Sequence, residues 1–567
     1  MTGASATLTA TETNRSLVIS LREALVQVGL VVLGAILYSL AYPSVISQWG
    51  WFPLAYFSLI PVFIVVRRTS WLGSFLIGAL YGFITYSVLN YWLLNFHPLA
   101  IFIVPVIYAG YFLVVFPLLK LADTLFPRYG YVVQVLIWLA YEYLRLQGFL
   151  GYAYGISGYS QYLFVPLIAV SSFAGVWGVS FLVVLPNAFL AHLVMHGITR
   201  GREGLAAFRR HNQIIAAGFA LLFLGAIVFG LVSRSDYSEA RRWRMSLVQQ
   251  NIDPWRGGVE AYRDSLDVLV EQSNRALADD PDIVVWSETS FVPPIAYHNR
   301  YRTNRDSYAL VQELMAFLAE QDTPYVLGNG DAQLVQAGDG NLDRVDYNAV
   351  LLYESGEIQE TYRKIHLVPF TEHFPYERTF PWLHRILVEN DTTFWEAGNE
   401  YTVFETDGVR FSTPICFEDT FGYLSRNFVR AGADLIVNLT NDSWAYSEAA
   451  AMQHMQMAVF RAVENKRTMV RSTNGGMTTV IDPNGKILAM LPAFTEDYLT
   501  YDVPVYTEET TLYTRWGNWL ALVFLIGAAA ALVFGVARAV RRRFGDDGAA
   551  ARGAGASAVR RNRRVVR

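Results

Sequence analysis

The chain alternates between long apolar stretches and one long polar region, 233–516. Roughly 20 apolar residues are needed for a helix to cross the hydrocarbon core of a bilayer, so the apolar stretches predict membrane-spanning helices. Seven such stretches precede the polar region and one follows it. The predicted spans are 24–42, 52–66, 71–94, 99–121, 131–147, 173–195, 213–232 and 517–537.

Basic residues in the connecting segments predict the orientation, because cytoplasmic loops carry an excess of lysine and arginine. The loops 43–51, 95–98 and 148–172 contain neither residue, which predicts that they lie outside the cytoplasm. The alternate segments all contain basic residues, namely Arg15, Arg22, Arg67, Arg68, Lys120, Arg128, Arg200, Arg202, Arg209 and Arg210. Both termini are therefore predicted to be cytoplasmic, and the polar region is predicted to lie outside.

Within the polar region, short β-rich apolar runs alternate with amphipathic helical stretches, which is typical of a layered α/β domain. The predicted helices are 258–278, 306–321 and 448–466. The predicted strands are Met245–Asn251, Ile283–Trp286, Tyr325–Asn329, Tyr347–Tyr353, Val409–Ile415, Ala433–Leu439 and Thr468–Arg471.

Composition agrees with a membrane protein, since 53% of the 567 residues are hydrophobic and 17% are charged. Cys416 is the single cysteine, which excludes an intrachain disulfide and a zinc or iron–sulfur site built from cysteines. A net charge of −4 gives no reason to expect a nucleic-acid partner. The predicted organisation is a cytoplasmic tail (1–23), a seven-helix membrane domain (24–232), an extracytoplasmic domain (233–516), a last membrane helix (517–537) and a basic, disordered cytoplasmic tail (538–567).

Three reactive side chains stand at separate predicted strand ends: Glu288, Lys364 and Cys416. A carboxylate, an ammonium and a thiol are the groups that acyl transfer through a thioester requires. A helix predicted over Asp419–Val429 would favour the thiolate of Cys416, because helix N-termini stabilise negative charge. Each residue also has a structural interpretation: an inert core cysteine, a helix-capping carboxylate and a solvated loop lysine.

The sequences around these residues resemble the carbon–nitrogen hydrolase (nitrilase) superfamily, whose Glu–Lys–Cys triad lies on an αββα sandwich. The matching motifs are WSET with Glu288, YRKIHLVPFTEHFP with Lys364 and ICFED with Cys416. Further agreement is found in Asn438–Trp444, Gln453-His454, Arg461–Asn465 and Arg471–Gly476. With seven helices before this domain and one after it, the chain is similar to the apolipoprotein N-acyltransferases, bacterial inner-membrane enzymes that add the third acyl chain to lipoproteins. The segment Gly151–Gln161 also resembles a loop of that family.

The resemblance implies a ping-pong acyl transfer. Glu288 would be the general base, Cys416 the acyl carrier and Lys364 the cation that stabilises the oxyanion. The implied donor is a membrane phospholipid, with phosphatidylethanolamine expected, and the implied acceptor is a diacylated apolipoprotein. No cofactor and no metal are expected, and His192 and His196, four residues apart, are interpreted as membrane-interface residues. A monomer is favoured.

The resemblance also points to supporting residues around the triad. Glu372 would orient Lys364 or the amine, with an exposed loop acid as the alternative. Glu418 would position the site or cap the following helix. Trp255 resembles a family tryptophan near the site, although tryptophan is also typical of membrane interfaces. Phe417 stands where the family commonly has tyrosine, and TEHFP around Glu372 replaces a more usual glycine–glutamate pattern, so both are expected to shape the acyl or amine pocket.

Two other functions remain open from the sequence. A membrane-anchored amidase would use the same triad and pass the acyl group from a small amide to water. A transporter or receptor with an inactive nitrilase-like domain is disfavoured by the intact triad residues and by the few charges in the predicted spans.

Overall fold

A computed structural model describes residues 21–96, 100–336, 342–389 and 394–562. Most of the predicted cytoplasmic tail, residues 1–20, lies outside these ranges. The helices of the N-terminal part are α1 (Leu21–Leu40), α2 (Ala55–Ser58), α3 (Ile60–Arg68), α4 (Trp71–Leu89), α5 (Leu93–Phe96), α6 (Ala100–Leu125), α7 (Gly130–Leu144), α8 (Val165–Ile168), α9 (Ser171–Ala174) and α10 (Val176–Val232).

Five helices of the described chain are long and apolar enough to cross a membrane: α1, α4, α6, α10 and the C-terminal helix over Trp519–Arg543. The predicted spans 52–66 and 131–147 correspond to shorter helices, because α3 has nine residues and α7 has 15. The expected helical membrane part is therefore present, whereas the predicted number of eight spans is not confirmed.

Helix α10 contains two of the predicted spans and reverses direction between them. Gly201, at φ 59° and ψ −145°, has a backbone conformation that interrupts the helix. The rings of Phe189 and Phe208 lie 5.2 Å apart, although 19 residues of continuous helix would separate them by about 28 Å. The two halves therefore pack antiparallel, and Gly201 makes the reversal where Arg200 and Arg202 predict a cytoplasmic loop.

Two six-stranded sheets form the domain that follows α10. The strands are β1 (Arg241–Gln249), β2 (Ile283–Val285), β3 (Tyr325–Gln336), β4 (Leu342–Glu354), β5 (Glu357–Arg363), β6 (Val403–Thr406), β7 (Val409–Ser412), β8 (Leu435–Thr440), β9 (Thr468–Thr473), β10 (Thr479–Ile481), β11 (Ile487–Met490) and β12 (Asp497–Val505). The helices are α11 (Val259–Leu277), α12 (Ile295–Tyr301), α13 (Arg305–Ala319), α14 (Pro381–Glu389), α15 (Gly422–Ala431), α16 (Glu448–Asn465) and α17 (Leu512–Trp516), and α18 (Trp519–Asn562) follows.

The two sheets pack against each other as an αββα sandwich. Their orders are β12-β1-β2-β3-β4-β5 and β11-β10-β9-β8-β7-β6, with parallel pairing at the centre and antiparallel pairing towards the edges. Trp243 of β1 meets Phe411 of β7 at 5.5 Å between ring centroids, and Ser472 Oγ of β9 donates a hydrogen bond to Val285 O of β2. The expected α/β sandwich is confirmed.

The differences from the predicted elements have local reasons. Strand β5 carries polar residues along most of its length, and β12 contains Pro504, which is tolerated only where its missing N–H is not needed. Strand β5 therefore lacks the apolar alternation that predicts a strand. In β12, Leu499, Tyr501, Val503 and Val505 do alternate with Thr500, Asp502 and Pro504, so this strand was missed although its pattern was present. At the C-terminus, α18 continues to Asn562, so the disorder predicted from 538 onwards is wrong as far as Asn562. Alanine and arginine, which are frequent there, favour helix continuation.

Candidate active site

The candidate site lies between the two sheets, at the ends of β2, β5 and β7. Glu288 follows β2 by three residues, Lys364 comes directly after β5, and Cys416 follows β7 by four. Strands β2 and β7 run parallel to their inner neighbours β3 and β8, which brings these chain ends to one edge of the sandwich.

Glu288 is a buried carboxylate with three donors. Its Oε1 accepts hydrogen bonds from Asn348 Nδ2 at 2.8 Å and from Lys364 Nζ at 3.4 Å, and its Oε2 accepts one from the Asn441 backbone N–H at 2.9 Å. Burial raises the pKa of Glu288, although Lys364 acts in the opposite direction. The Cys416 thiol also lies close enough to this carboxylate to lower its pKa. Glu288 therefore faces both other triad residues and caps no helix.

Lys364 is completely buried between two carboxylates, so it is not a solvated loop lysine. Its Nζ donates to Glu372 Oε1 at 2.8 Å as well as to Glu288 Oε1. Burial alone would lower the pKa of Lys364, but Glu372 and Glu288 outweigh burial and raise it. Glu372 is itself fixed, because its Oε2 accepts the Val368 backbone N–H at 2.8 Å. The ammonium is thus held charged and oriented.

Cys416 begins a 3₁₀ turn, Cys416–Thr420, and has a φ of 50°. This left-handed conformation costs a residue other than glycine roughly 1–2 kcal/mol, so the surrounding contacts must hold it. Asn438 Nδ2 donates to the carbonyl oxygens of Pro414 at 3.0 Å and of Cys416 at 3.2 Å. The turn therefore presents the thiol at a strained corner that the neighbouring strand supports.

The expectation that a helix N-terminus favours the Cys416 thiolate is wrong. The predicted helix 419–429 begins later, as α15 at Gly422, and only the 3₁₀ turn follows the thiol. Burial, followed by the nearby Glu288 carboxylate, raises the pKa of Cys416 well above its usual range, and Lys364 offsets this only in part. Cys416 therefore rests as a neutral thiol, and any attack by its sulfur would require a base.

Glu418 connects the lysine segment to the cysteine segment. Its carboxylate accepts hydrogen bonds from Tyr362 Oη at 2.8 and 2.9 Å, from the backbone N–H groups of Ile365 and His366, and from that of Ile415 at 2.7 Å. Burial raises the pKa of Glu418 to about 6, so it is ionised at neutral pH. It does not cap α15, which begins four residues later.

Phe417 and Trp255 lie at different depths. Phe417 is buried, with its ring centroid 5.0 Å from Phe421 and 6.5 Å from Tyr152 of the N-terminal part. Trp255 is half exposed and packs edge to face on Trp444 at 4.8 Å. Trp444 is three residues from Asn441, which binds Glu288. Both residues thus adjoin the site, and their roles stay predictions.

Comparisons with known proteins identify the family to which the two parts of the chain belong. Residues 244–511 match the carbon–nitrogen hydrolase family, and residues 34–189 match the apolipoprotein N-acyltransferase N-terminal domain. Apolipoprotein N-acyltransferase 1 of Treponema denticola is 44% identical over 514 residues, which cover 88% of this chain and 94% of the relative. The chain belongs to the apolipoprotein N-acyltransferase family.

A second apolipoprotein N-acyltransferase, from Treponema pallidum, is 40% identical over 90% of this chain and 96% of its own length. Among solved structures, an amidase from Nesterenkonia sp. is 17% identical, with a TM-score of 0.35 over 50% of this chain and 97% of the amidase. Membership of the family makes the protein a bacterial membrane acyltransferase that carries a carbon–nitrogen hydrolase domain.

Two polar contacts of this apolipoprotein N-acyltransferase site were not predicted from the sequence. Asn348, a buried amide in the otherwise apolar run 347–353, donates to Glu288. A polar residue inside an apolar strand could have indicated this contact from the sequence. The Asn441 backbone N–H, which binds the other oxygen of Glu288, left no signal, because any residue except proline supplies an N–H.

Proposed function

We propose that the protein transfers an acyl chain from a membrane phospholipid to the α-amine of the N-terminal diacylglyceryl-cysteine of apolipoproteins, through a thioester on Cys416. One observation carries this proposal. In a chain of this family, a thiol, a carboxylate and an ammonium from three strand ends converge in one buried site. We further propose that a single chain suffices, since all three side chains belong to it.

In the first half-reaction, Glu288 takes the proton of the Cys416 thiol as the sulfur attacks the acyl ester carbonyl. The proton then passes to the leaving lysophospholipid oxygen, and the acyl group remains as a thioester. In the second, the lipoprotein amine attacks the thioester, Glu288 takes the amine proton, and the thiol is restored. Lys364 faces the developing oxyanion in both steps, and such a donor contributes about 3–4 kcal/mol.

The site lies against one end of the membrane part, which suits substrates anchored in a bilayer. Gln453 Nε2 of α16 donates to Pro43 O at 2.8 Å, and Asn95 Nδ2 donates to Ala445 O at 2.9 Å. The Phe149 ring lies 5.2 Å from Phe370. These contacts involve all three loops that lack lysine and arginine, so the catalytic domain meets the predicted outer face of the membrane part.

The basic segments gather elsewhere in the membrane part. Arg67 at the end of α3 contacts His192 of α10, at 3.0 Å between Nη1 and Nδ1. Its Nε also lies 3.7 Å from the carboxylate of Asp123, near the end of α6. These helix ends are the ones remote from the catalytic domain. Because positive charge marks the cytoplasmic side, we propose that the protein resides in the cytoplasmic (inner) membrane. Its catalytic domain would face the periplasm or exterior.

Residues 370–389 are proposed as the lipid-facing rim of the site. The ring of Phe149, from the loop after α7, contacts Phe370, Phe374 and Tyr376. Helix α14 continues this segment with Trp382 and Val388 exposed to 60% and 49%. An apolar surface next to a membrane-helix loop favours contact with acyl chains and head groups.

Replacing Trp382 with alanine is expected to raise the KM for phospholipid roughly five- to tenfold with little change in kcat, because about 1 kcal/mol of interfacial contact is lost. Initial rates at varied phospholipid mole fraction in mixed micelles measure this. Leu342→Ala is the matched control, since Leu342 is similarly exposed, at 65%, but lies on the β3–β4 hairpin. An unchanged KM in Trp382→Ala would exclude this helix from lipid binding.

Glu418→Gln is expected to lower kcat roughly ten- to a hundredfold. The amide NH₂ of glutamine would face backbone N–H groups that the carboxylate now accepts, and each buried N–H left without an acceptor costs about 1–3 kcal/mol. Glu360→Gln, an exposed carboxylate on β5, should change the rate little. Steady-state kinetics and thermal unfolding measured in parallel check this. Full activity in a folded Glu418→Gln protein would contradict a positioning role.

The central experiment incubates the purified protein with phosphatidylethanolamine and measures the mass of the Cys416 peptide. An acyl adduct on Cys416 that a diacylated lipopeptide discharges onto its amine supports the proposal. Discharge by water at the same rate would favour an amidase, and absence of any adduct would refute the thioester. Phospholipids with other head groups, tested in the same assay, determine the donor preference.

A further inference from the structure

Beneath the triad lies a closed ring of four charged side chains. His454 of α16 contacts Asp442 Oδ1 through Nδ1 and Asp419 Oδ1 through Nε2, both at 2.7 Å. Arg471 of β9 completes the ring, donating to Asp419 Oδ2 at 3.0 Å and to Asp442 Oδ2 at 3.2 Å. All four side chains are at most 9% exposed.

The geometry defines the charge of this ring. A neutral imidazole has one N–H donor, whereas both nitrogens of His454 face carboxylate oxygens at hydrogen-bond distance, so the ring holds an imidazolium. Two carboxylates are then balanced by one imidazolium and one guanidinium. Such compensation is what allows charges to remain in a buried site.

Two residues of the ring belong to chain segments that form the candidate site. Asp419 is the fourth residue of the strained turn that begins with Cys416. Asp442 directly follows Asn441, whose backbone N–H holds Glu288 Oε2. The ring therefore fastens the nucleophile turn and the loop that orients the base to the same helix and strand.

We propose that Asp419, His454, Asp442 and Arg471 form a positioning unit that holds the Cys416 turn and keeps two carboxylates near the thiol electrically neutral. The inference rests on the proposed function of Cys416 as acyl carrier. Without the imidazolium, the ring would carry a net negative charge that disfavours the thiolate. The groups that face His454 are Asp419, Asp442, Arg471 and the Tyr154 ring, and those that act on Cys416 are Glu288, Lys364, Glu372 and Asp442.

The titration behaviour of these groups agrees with this assignment. Burial alone would lower the pKa of His454, but Asp419 and Asp442 outweigh it and raise the pKa to about 9. Burial and Glu288 raise the pKa of Cys416 most, and the Asp442 carboxylate raises it further.

The test measures alkylation of Cys416 by iodoacetamide in the full-length protein across neutral and alkaline pH. Since Cys416 is the single cysteine, mass spectrometry reads its reactivity without ambiguity. In His454→Gln, alkylation is expected to slow roughly tenfold at neutral pH, which displaces that part of the pH profile upwards by about one unit. Above about pH 9 the two profiles should converge, because the wild-type imidazolium also loses its proton there. Asp442→Asn should react at least as fast as the wild type, because losing one carboxylate leaves the ring with a net positive charge. The double variant should recover the wild-type rate, because it loses one positive and one negative charge and the ring stays neutral.

A purely structural ring predicts instead that Asp442→Asn also reacts more slowly than the wild type and that the double variant reacts most slowly, and that result overturns the proposal. A wild-type profile in His454→Gln overturns it as well. If His454→Gln does not fold, folded Asp442→Asn decides alone. Slower alkylation than in the wild type would refute the proposed charge compensation, and a rate at or above that of the wild type would support it. Alkylation requires no acyl transfer, so a missing acyl adduct would refute the proposed function separately.

Discussion

Replacing Cys416 with serine is expected to abolish acyl transfer, with kcat reduced by on the order of 10⁴-fold or more. The hydroxyl is far less acidic than a thiol, and the buried surroundings already raise the pKa of the thiol itself. Glu288 therefore cannot generate a serine nucleophile at a useful rate. The measurements are lipopeptide acylation and the mass of the peptide that contains residue 416.

Cys416→Ala is the matched control, because it removes the nucleophile and retains the shape of the turn. Neither variant should lose thermal stability, and both should still bind lipid vesicles through the membrane helices. Acylation by folded Cys416→Ala at more than a trace of the wild-type rate would exclude a covalent intermediate on this residue. The amine would then attack the phospholipid ester directly.

The helical membrane part and the three side chains that meet in the candidate site were predictable from the sequence, because both predictions depend on local patterns. Glu288 and Cys416 each follow a short apolar run, and strands of this kind end at the functional edge of an α/β sheet. The reversal of α10 at Gly201 was also readable, since basic residues on both sides of the glycine predict a loop there.

Long-range contacts were not predictable in the same way. The role of Glu418 depends on N–H groups of Ile365 and His366, more than 50 residues away, whose orientation no local pattern encodes. The direction in which the surroundings shift the pKa of Cys416 was predicted wrongly. A helix N-terminus was expected, whereas the fold partly buries Cys416 and places its thiol near Glu288. Burial is a property of the whole fold, so its electrostatic consequence appears only in the structure.

Replacing Glu288 with glutamine is expected to lower kcat roughly 10²–10⁴-fold at neutral pH, the range of a general base. Cys416 rests as a neutral thiol, and glutamine cannot take its proton. The loss should diminish as the pH rises, by about tenfold per unit, because hydroxide removes the proton instead. This variant lacks the carboxylate that raises the pKa of Cys416, whereas Lys364, which lowers that pKa, remains. The rate of the variant should therefore begin to rise at a lower pH than if burial alone set the pKa of the thiol.

Single-turnover acylation of Cys416 as a function of pH measures this effect without interference from the second half-reaction. The wild type should show no comparable increase over the same range, and Glu360→Gln should follow the wild type. A Glu288→Gln deficit that stays constant with pH would mean that the carboxylate holds Lys364 and Asn348 in place and does not transfer the proton. In that case the loop that carries Glu372 would be the next place to look for the base, since Glu372 is the other carboxylate in contact with Lys364.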